Sequence, residues 1–266
     1  MSNKIGCVNS ISVYALMDTK VYISYNQVHQ LIKDAVEHYR INEDYKPDLM
    51  IAIGGGGFVP ARILPINRCI KTFIVMMNNN HSLSFVQTPE QLSWQRSFLK
   101  RPNNKNIPIQ AIGLSLYEDL GVFDAEQADA AATIGTQVVK TQWLHFGHVT
   151  CPLLGKNILI VDEVDDTRTT LAYAIQELSR DINEEKLKYI QSHPGSDVPE
   201  TKLAVFVLHN KKKQKRMELP DQSIIPDGRY FAAKEVPDKW LVYPWEAIDI
   251  SEHTQKSLEQ EEENAI

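Results

Sequence analysis

The chain has 266 residues, a formal net charge of −6, 43% hydrophobic and 23% charged residues, which fits one large domain or one domain with elaborations. The negative charge argues against nonspecific nucleic-acid binding, because no global positive field would attract phosphate backbones. Three widely spaced cysteines indicate a reducing compartment, and no apolar run has signal-peptide or membrane-spanning length, so we expect a cytoplasmic protein without a membrane or nucleic-acid partner.

The N-terminal third begins without a clear period and then alternates helix and strand. Residues 1–21 are expected to be an N-terminal extension. From Asn26 the apolar residues follow helical spacing, with Ser24 or Asn26 as the N-cap. Leu49–Ile53 is an apolar run of strand length, and a helix is expected to start at Phe58 after four glycines.

Three later apolar runs also have strand length: Ile109–Leu116, Asn157–Asp162 and Leu203–Leu208. Their near-continuous apolarity predicts burial on both faces, as in a parallel sheet covered by helices. A helical pattern over Thr169–Arg180 lies between two of them, which is the alternation of an α/β fold. We therefore predict a central, mainly parallel sheet flanked by helices.

Residues 65–95 interrupt the helix that starts at Phe58 and show no clean period. If the segment is removed, Leu64 joins Arg96 and an amphipathic helix results. A structureless stretch of this length is unusual in a compact domain. We interpret it as an insertion, either a long surface loop or translated intronic sequence.

Two charged segments are open to simple interpretations. The last residues, 257–266, are acidic and polar and are expected to be a solvated tail. The basic run Lys211–Lys213, Lys215 and Arg216 is interpreted as a solvated loop.

The most informative stretch is the end of the strand over Asn157–Asp162. Its acidic residues and hydroxyls, in chain order, are Asp162, Glu163, Asp165, Asp166, Thr167, Thr169 and Thr170. Carboxylates suit hydroxyls and a divalent metal, whereas amides at a helix start bind phosphate. Arg168 adds a positive charge, so the stretch is suited to a sugar phosphate. The alternative is that the acids merely cap the helix.

The stretch "ILIVDEVDDTRTTL" resembles the phosphoribosyl-pyrophosphate (PRPP) signature of the type I phosphoribosyltransferases. Further segments resemble the fungal hypoxanthine-guanine and xanthine enzymes of that family: "IAIGGGGFVPARI", "IPIQAIGLSLYEDLG", "TQWLHFG", "FVLHNKKK" and "GRYFAAKEVPDKWLVYPWEAIDI". The resemblance implies the type I phosphoribosyltransferase fold over residues 22–256, with a small purine-binding hood. The wider family usually has Gly where Arg168 stands.

The resemblance also implies roles for the acidic stretch. Asp162 and Glu163 match the acidic pair that holds the ribose hydroxyls, with Mg²⁺ nearby. Asp166 matches the catalytic aspartate beside purine N7, as proton acceptor or hydrogen-bond partner. The remaining residues match the cradle of the PRPP 5'-phosphate: Asp165, Thr167, Arg168, Thr169 and Thr170.

Two loops are implied to close the PRPP site. The four glycines Gly54, Gly55, Gly56 and Gly57 match the pyrophosphate-binding loop; the alternatives are a flexible linker or another nucleotide loop, and the absence of Gly-Lys-Ser/Thr argues against a Walker-type loop. Arg62, one turn on, is assigned to the same pyrophosphate site, with a surface helix residue as the alternative. Ser115, Leu116, Tyr117 and Glu118 match the start of a mobile loop that excludes water.

The purine end of the pocket is implied by "VPDKWLVYPWE". Trp240 matches the aromatic residue that stacks on the base, and the backbone of Leu241 matches the contact to the C2 side. Lys211 is the candidate for purine O6. Glu246 falls near a position that can reach a second metal.

The implied function is a purine-salvage 6-oxopurine phosphoribosyltransferase that uses Mg²⁺ and PRPP on xanthine and/or hypoxanthine and guanine. A homodimer or homotetramer is expected. The alternatives are a catalytically inactive PRPP-binding regulator, or an inactive product of a gene model with a retained intron.

Overall fold

The computed structural model describes residues 20–64, 75–77, 83–85, 107–117, 137–144 and 152–265. The helices and strands of these residues are, in chain order, β1 (Lys20–Tyr22), α1 (Tyr25–His38), a π-helical turn (Ile41–Tyr45), β2 (Leu49–Ile53), α2 (Phe58–Ile63), β3 (Val75–Met77), β4 (Leu83–Phe85), β5 (Ile109–Tyr117), β6 (Gln137–Gln142), β7 (Asn157–Asp165), α3 (Thr169–Ser192), β8 (Lys202–Lys211), β9 (Tyr230–Val236), β10 (Trp240–Val242), a 3₁₀ turn (Pro244–Glu246) and α4 (Ile250–Ala265).

The central sheet has six strands in the order β6-β5-β2-β7-β8-β9. Neighbouring strands are parallel except for β6, which is antiparallel to β5. All five residues of β2 are buried, because successive side chains point into cores on opposite faces of the sheet. The predicted mainly parallel α/β fold is confirmed.

Helices cover both faces of this sheet. On one face α1 and α2 pack with residues such as Met50 and Ala52, and on the other α3 packs with Leu49 and Ile51. The start of α1 is fixed by the predicted cap Ser24. Its hydroxyl accepts a hydrogen bond from the amide of Gln27 at 3.2 Å, and the Gln27 side chain accepts one from the Ser24 amide at 2.7 Å.

Helix α3 is longer than predicted and continues to Ser192, with 24 residues. Its buried residues fall in its first half, which packs on the sheet, whereas Leu187 and Ile190 in the second half are exposed. Across the ranges that the structure describes, none of the helices combines the length and apolarity that a membrane crossing requires.

The hood is a two-stranded parallel sheet of β1 and β10, with α4 beside it. The Gln260 side chain accepts a hydrogen bond from the Tyr22 amide and donates one to the Lys20 carbonyl, both at 2.9 Å. The acidic segment expected to be a solvated tail is therefore part of a packed helix: Ser257 is buried, and the acidic side chains that follow remain on the exposed face.

The suspected insertion is described only in part. Within it β3 and β4 pair with each other in an antiparallel arrangement. Helix α2 ends at Ile63 with Leu64 as its C-cap. The expected junction between Leu64 and Arg96 lies outside the described residues, as do residues 1–19.

Candidate active site

The candidate site lies where the carboxyl ends of β2, β7 and β8 meet at one edge of the sheet. The chain runs from β2 to β5 on one side and later places β7 on the other side of β2. Ligands of open α/β sheets bind at such a switch in strand order. The glycine loop after β2 therefore faces the acidic loop that begins in β7.

Close approach between these two loops requires glycine. A Cβ atom at Gly56 would overlap the Glu163 side chain, and one at Gly57 would overlap the carbonyl oxygens of Ile53 and Val161. Gly55 has a backbone φ of +84°, a value that residues other than glycine rarely adopt. The glycine loop thus lies against the acidic loop, open to a ligand on its outer side.

Asp162 and Glu163 form a crowded acidic pair. Asp162 is 8% exposed and its carboxylate accepts a hydrogen bond from the Glu163 amide at 2.9 Å. Burial raises the pKa of Asp162 well above its usual range, and the neighbouring Glu163 raises it further. The Oε2 atom of Glu163 is buried without a hydrogen-bond partner in the described part of the chain. The pair is therefore suited to bind a cation or to accept hydrogen bonds from hydroxyl groups of a ligand.

Two residues that were not predicted from the sequence support the backbone of Glu163: Tyr243 contacts it directly, and His209 contacts Tyr243. The Tyr243 hydroxyl donates to the Glu163 carbonyl at 3.1 Å and lies 2.8 Å from His209 Nδ1. Since the tyrosine proton goes to Glu163, His209 must donate from Nδ1. Tyr243 also stacks on Trp245 with ring centroids 4.7 Å apart, so the hood and the acidic loop are joined.

Asp166 is held by two lysines of the basic run. Lys213 Nζ is 2.8 Å and Lys211 Nζ 3.5 Å from its carboxylate, and both lysines also contact Asp238 in the hood. Burial alone would raise the pKa of Asp166, but the hydrogen bond from Lys213 and the charge of Lys211 outweigh it and lower the pKa.

The interpretation of the basic run as a solvated loop is therefore wrong for most of its residues. The side chain of Lys211 is 12% exposed, that of Lys213 is 26% exposed and that of Lys215 is 12% exposed. Opposite charges on the adjacent acidic loop account for their burial. The sequence contains an acidic stretch and a basic stretch that could pair, but only the fold shows that they lie side by side.

The turn from β7 into α3 leaves amides available for an anion. Arg168 is the N-cap of α3, and no side chain of the described residues caps this helix. The Thr167 and Thr169 hydroxyls lie 3.0 Å apart. The alternative that the acids merely cap the helix is wrong, and the first amides of a 24-residue helix remain for a ligand.

Two residues matched to the 5'-phosphate cradle point elsewhere. Asp165 is 1% exposed and its carboxylate accepts hydrogen bonds from Arg168 Nε at 2.9 Å and from the Tyr230 hydroxyl at 2.6 Å. The Arg168 side chain is only 9% exposed. Both side chains lie beneath the loop. Tyr230 was not predicted as a site residue, and Lys215 was predicted only as part of the solvated basic run.

The other predicted residues are spread around this centre. Trp240 is 66% exposed in the hood and Leu241 beside it is buried. Arg62 is exposed on α2. The backbone of Ser115, Leu116 and Tyr117 lies in β5, paired with β6. Glu118 and the rest of the expected mobile loop lie outside the described residues.

The described residues contain no group of three or more His, Cys, Asp or Glu side chains that could hold a metal ion. Asp162, Glu163 and exposed Glu246 therefore do not form one three-residue cluster. A carboxylate pair still fits Mg²⁺, which usually binds one or two carboxylates together with substrate oxygens and water. The orphaned Glu163 oxygen supports that fit.

This architecture, a mainly parallel sheet with an acidic loop opposite a glycine loop, defines a type I phosphoribosyltransferase. Xanthine phosphoribosyltransferase 1 of Saccharomyces cerevisiae is 46% identical over 238 residues, which cover 88% of this chain and 93% of that protein. The hypoxanthine-guanine phosphoribosyltransferase of the same yeast is 44% identical over 242 residues, covering 91% and 92%. No family model matches the chain.

A solved structure is also similar. A Neisseria gonorrhoeae protein crystallised with bound ppGpp is 31% identical, with a TM-score of 0.58, and the match covers 92% of this chain and 98% of that one. The chain belongs to the family of the fungal xanthine and hypoxanthine-guanine phosphoribosyltransferases.

Proposed function

We propose that the protein transfers the 5-phosphoribosyl group of PRPP to a 6-oxopurine, giving the nucleoside monophosphate and pyrophosphate. The observation that carries this proposal is the uncapped start of α3 beside the acidic pair, directly opposite the glycine loop. The start of α3 suits a sugar 5'-phosphate, the glycine loop suits pyrophosphate, and the carboxylates of the acidic pair lie between them. PRPP has these groups in the same order.

The acidic pair is suited to the ribose. Bond cleavage at the ribose develops positive charge, and fixed negative groups nearby stabilise it without reorganisation. Asp162 and Glu163 also accept hydrogen bonds from ribose hydroxyls. Mg²⁺ held by these two carboxylates and PRPP oxygens would neutralise the charge of the leaving pyrophosphate; Glu246 is kept as the candidate for a second ion.

The purine lies between the acidic loop and the hood in this proposal. Trp240 is exposed and available for stacking on the base, and the Leu241 backbone faces the C2 side. Asp166 is held ionised by Lys211 and Lys213, so its carboxylate can accept the N7 proton. Lys211, close to Asp166, is the donor to O6.

The preferred base is proposed to be xanthine, with hypoxanthine and guanine as the runner-up. The preference rests on the resemblance of "IPIQAIGLSLYEDLG" and "FVLHNK" to the xanthine enzyme. The 46% and 44% identities to the two yeast enzymes do not separate these bases. A cytoplasmic location and a homodimer or homotetramer complete the proposal.

The test is a spectrophotometric assay with Mg²⁺-PRPP and, separately, xanthine, hypoxanthine, guanine and adenine. Turnover of xanthine above the others is expected, and Asp166→Asn should lower kcat about 10²-fold or more, because the proton acceptor is lost. Preference for hypoxanthine and guanine would establish the runner-up. Binding of PRPP without turnover of any base would contradict the enzyme and favour the regulator or the inactive product.

Residues 65–95 distinguish those last two alternatives. A chain in which Leu64 is joined to Arg96 should turn over the base at the same rate as the full chain if the segment is a neutral insertion. Activity only in the shortened chain would identify the full-length protein as inactivated by the insertion. Binding without turnover in both chains would identify a regulator.

A further inference from the structure

Four side chains form a cluster beneath the loop that follows β7: Asp165, Arg168, Lys215 and Tyr230. Asp165 is its centre. One carboxylate oxygen, Oδ2, contacts Arg168 Nε at 2.9 Å, Arg168 Nη2 at 2.8 Å and the Tyr230 hydroxyl at 2.6 Å. Lys215 Nζ is 3.4 Å from the other oxygen. The cluster is nearly removed from solvent.

Arg168 has a backbone conformation that its side chain must stabilise. Its φ is +68°, a left-handed value that costs a residue with a Cβ about 1–2 kcal/mol. The guanidinium lies 5.4 Å from the centre of the Tyr230 ring and pairs with Asp165. A charge-assisted hydrogen bond and a cation–π contact have the size needed to offset that cost. The side chain therefore holds the turn from below.

The carbonyl groups of the same loop are all bound on one side. Lys215 Nζ donates to the carbonyl oxygens of Asp165 at 2.6 Å and Asp166 at 3.0 Å. The amide of Arg216 donates to the carbonyl of Thr167 at 3.0 Å. In a trans peptide the next N–H points opposite to the C=O. Fixing these three carbonyls turns the three following amides toward the ligand side.

We propose that Arg168, Lys215 and Tyr230 are positioning residues for the PRPP 5'-phosphate, and that Arg168 is not itself a phosphate ligand. They act through the backbone of the loop: Arg168 and Tyr230 fix its turn by way of Asp165, and Lys215 fixes its carbonyls. This inference rests on the proposed phosphoribosyl transfer. It reverses the role that the sequence assigned to Arg168.

The first test compares Tyr230→Phe with Tyr45→Phe. Each variant removes a hydroxyl that donates to β7: the Tyr230 hydroxyl bonds the Asp165 carboxylate at its carboxyl end, and the Tyr45 hydroxyl bonds the Ile158 carbonyl near its start at 2.7 Å. Calorimetry with ribose 5-phosphate and the KM for PRPP are the readouts. Tyr230→Phe should lower the affinity for ribose 5-phosphate and raise the KM for PRPP, each about tenfold or more, through the loss of one hydrogen bond to a charged group, and should leave the KM for the base unchanged. Tyr45→Phe should change neither.

The second test asks whether Arg168 contacts the phosphate itself or only positions the loop. Both Arg168→Gly and Arg168→Ala lose the ion pair with Asp165, but glycine adopts the left-handed φ without strain, whereas alanine keeps the strain. The KM for PRPP should rise about tenfold or more in Arg168→Ala and less in Arg168→Gly. If the KM for PRPP rises equally in the two Arg168 variants, and Tyr230→Phe changes it no more than Tyr45→Phe does, then Arg168 is a direct phosphate ligand and the proposal is overturned.

Lys215→Met extends the test to the carbonyls. It should lower the affinity for ribose 5-phosphate more than the affinity for inorganic pyrophosphate, which is proposed to bind the glycine loop. An equal loss of affinity for both ligands would contradict a role of Lys215 confined to the loop that follows β7. Thermal unfolding of each variant shows that it is folded. If the unaltered protein binds ribose 5-phosphate but turns over no base, the proposed function fails while the positioning role remains testable by calorimetry.

Discussion

Asp166 and Lys213 show how one residue sets the charge of another at this site. The carboxylate is partly buried, which by itself would favour its protonated form. A lysine at 2.8 Å reverses that preference. In a reaction that needs the carboxylate as proton acceptor, the lysine favours the ionised form of Asp166 by lowering its pKa.

We expect Lys213→Met to move the acidic limb of kcat/KM to higher pH. Without the hydrogen bond and charge of Lys213, burial is opposed only by Lys211, so the pKa of Asp166 rises and the active carboxylate is lost at a higher pH. The control is Lys212→Met, which removes the same charge from a side chain that pairs with Glu235 at 3.0 Å instead. Superimposable profiles for the two variants would disprove this account.

Trp240 illustrates an exposed side chain whose importance lies in binding. It is 66% exposed, so Trp240→Ala should change the unfolding temperature little. The KM for the purine should nevertheless rise, because stacking of a base on an aromatic ring is worth about 1–3 kcal/mol. Trp240→Phe should recover much of the loss. An unchanged KM in the alanine variant would remove Trp240 from the site.

At the scale of the elements, the strand-to-loop transitions determine what the site can bind. Strands β2, β7 and β8 could be predicted because burial on both faces leaves nearly continuous apolar runs, and helix α1 because its one buried face repeats with helical spacing. The antiparallel β6 and the β1–β10 pair could not be predicted, since short strands take their partners from tertiary contacts. For the same reason the roles of Lys215, Tyr230 and Tyr243 could not be predicted: these roles arise only once residues distant in the chain come together.

The glycine loop yields a prediction with an internal control. Gly55 and Gly195 have φ values of +84° and +80°, and an added Cβ would meet open space at both among the described residues. Alanine at either position should cost about 1–2 kcal/mol of folding stability. Only Gly55→Ala should also raise the KM for PRPP and weaken pyrophosphate inhibition. Equal kinetic effects would mean that the loop does not contact pyrophosphate.

At the scale of the molecule, the hood and the sheet are joined through a buried histidine. His209 is 1% exposed, and burial lowers its pKa to about 4, with Lys234 adding to the effect. In the unfolded chain histidine has its ordinary pKa of about 6.5. Its neutral form therefore contributes stability that is complete above pH 6.5 and is lost as the pH falls toward 4.

We expect the free energy of unfolding to drop by about 2 kcal/mol between pH 7 and pH 5 through this residue alone. Urea unfolding at both pH values is the measurement. His209→Gln should reduce the drop by that amount, whereas His193→Gln, at an exposed position, should leave it unchanged. The same drop in all three proteins would show that His209 does not titrate with folding.

The strand order has a consequence for the tolerance of the chain to added length. Met50 of β2 pairs with Ile109 of β5, and residues 65–95 make up about half of the chain between them. Chain-closure entropy grows only with the logarithm of loop length, so doubling this connection costs about 0.6 kcal/mol. Evolution can therefore lengthen this crossover at small thermodynamic cost, provided that the added length follows α2 and leaves the glycine loop directly after β2.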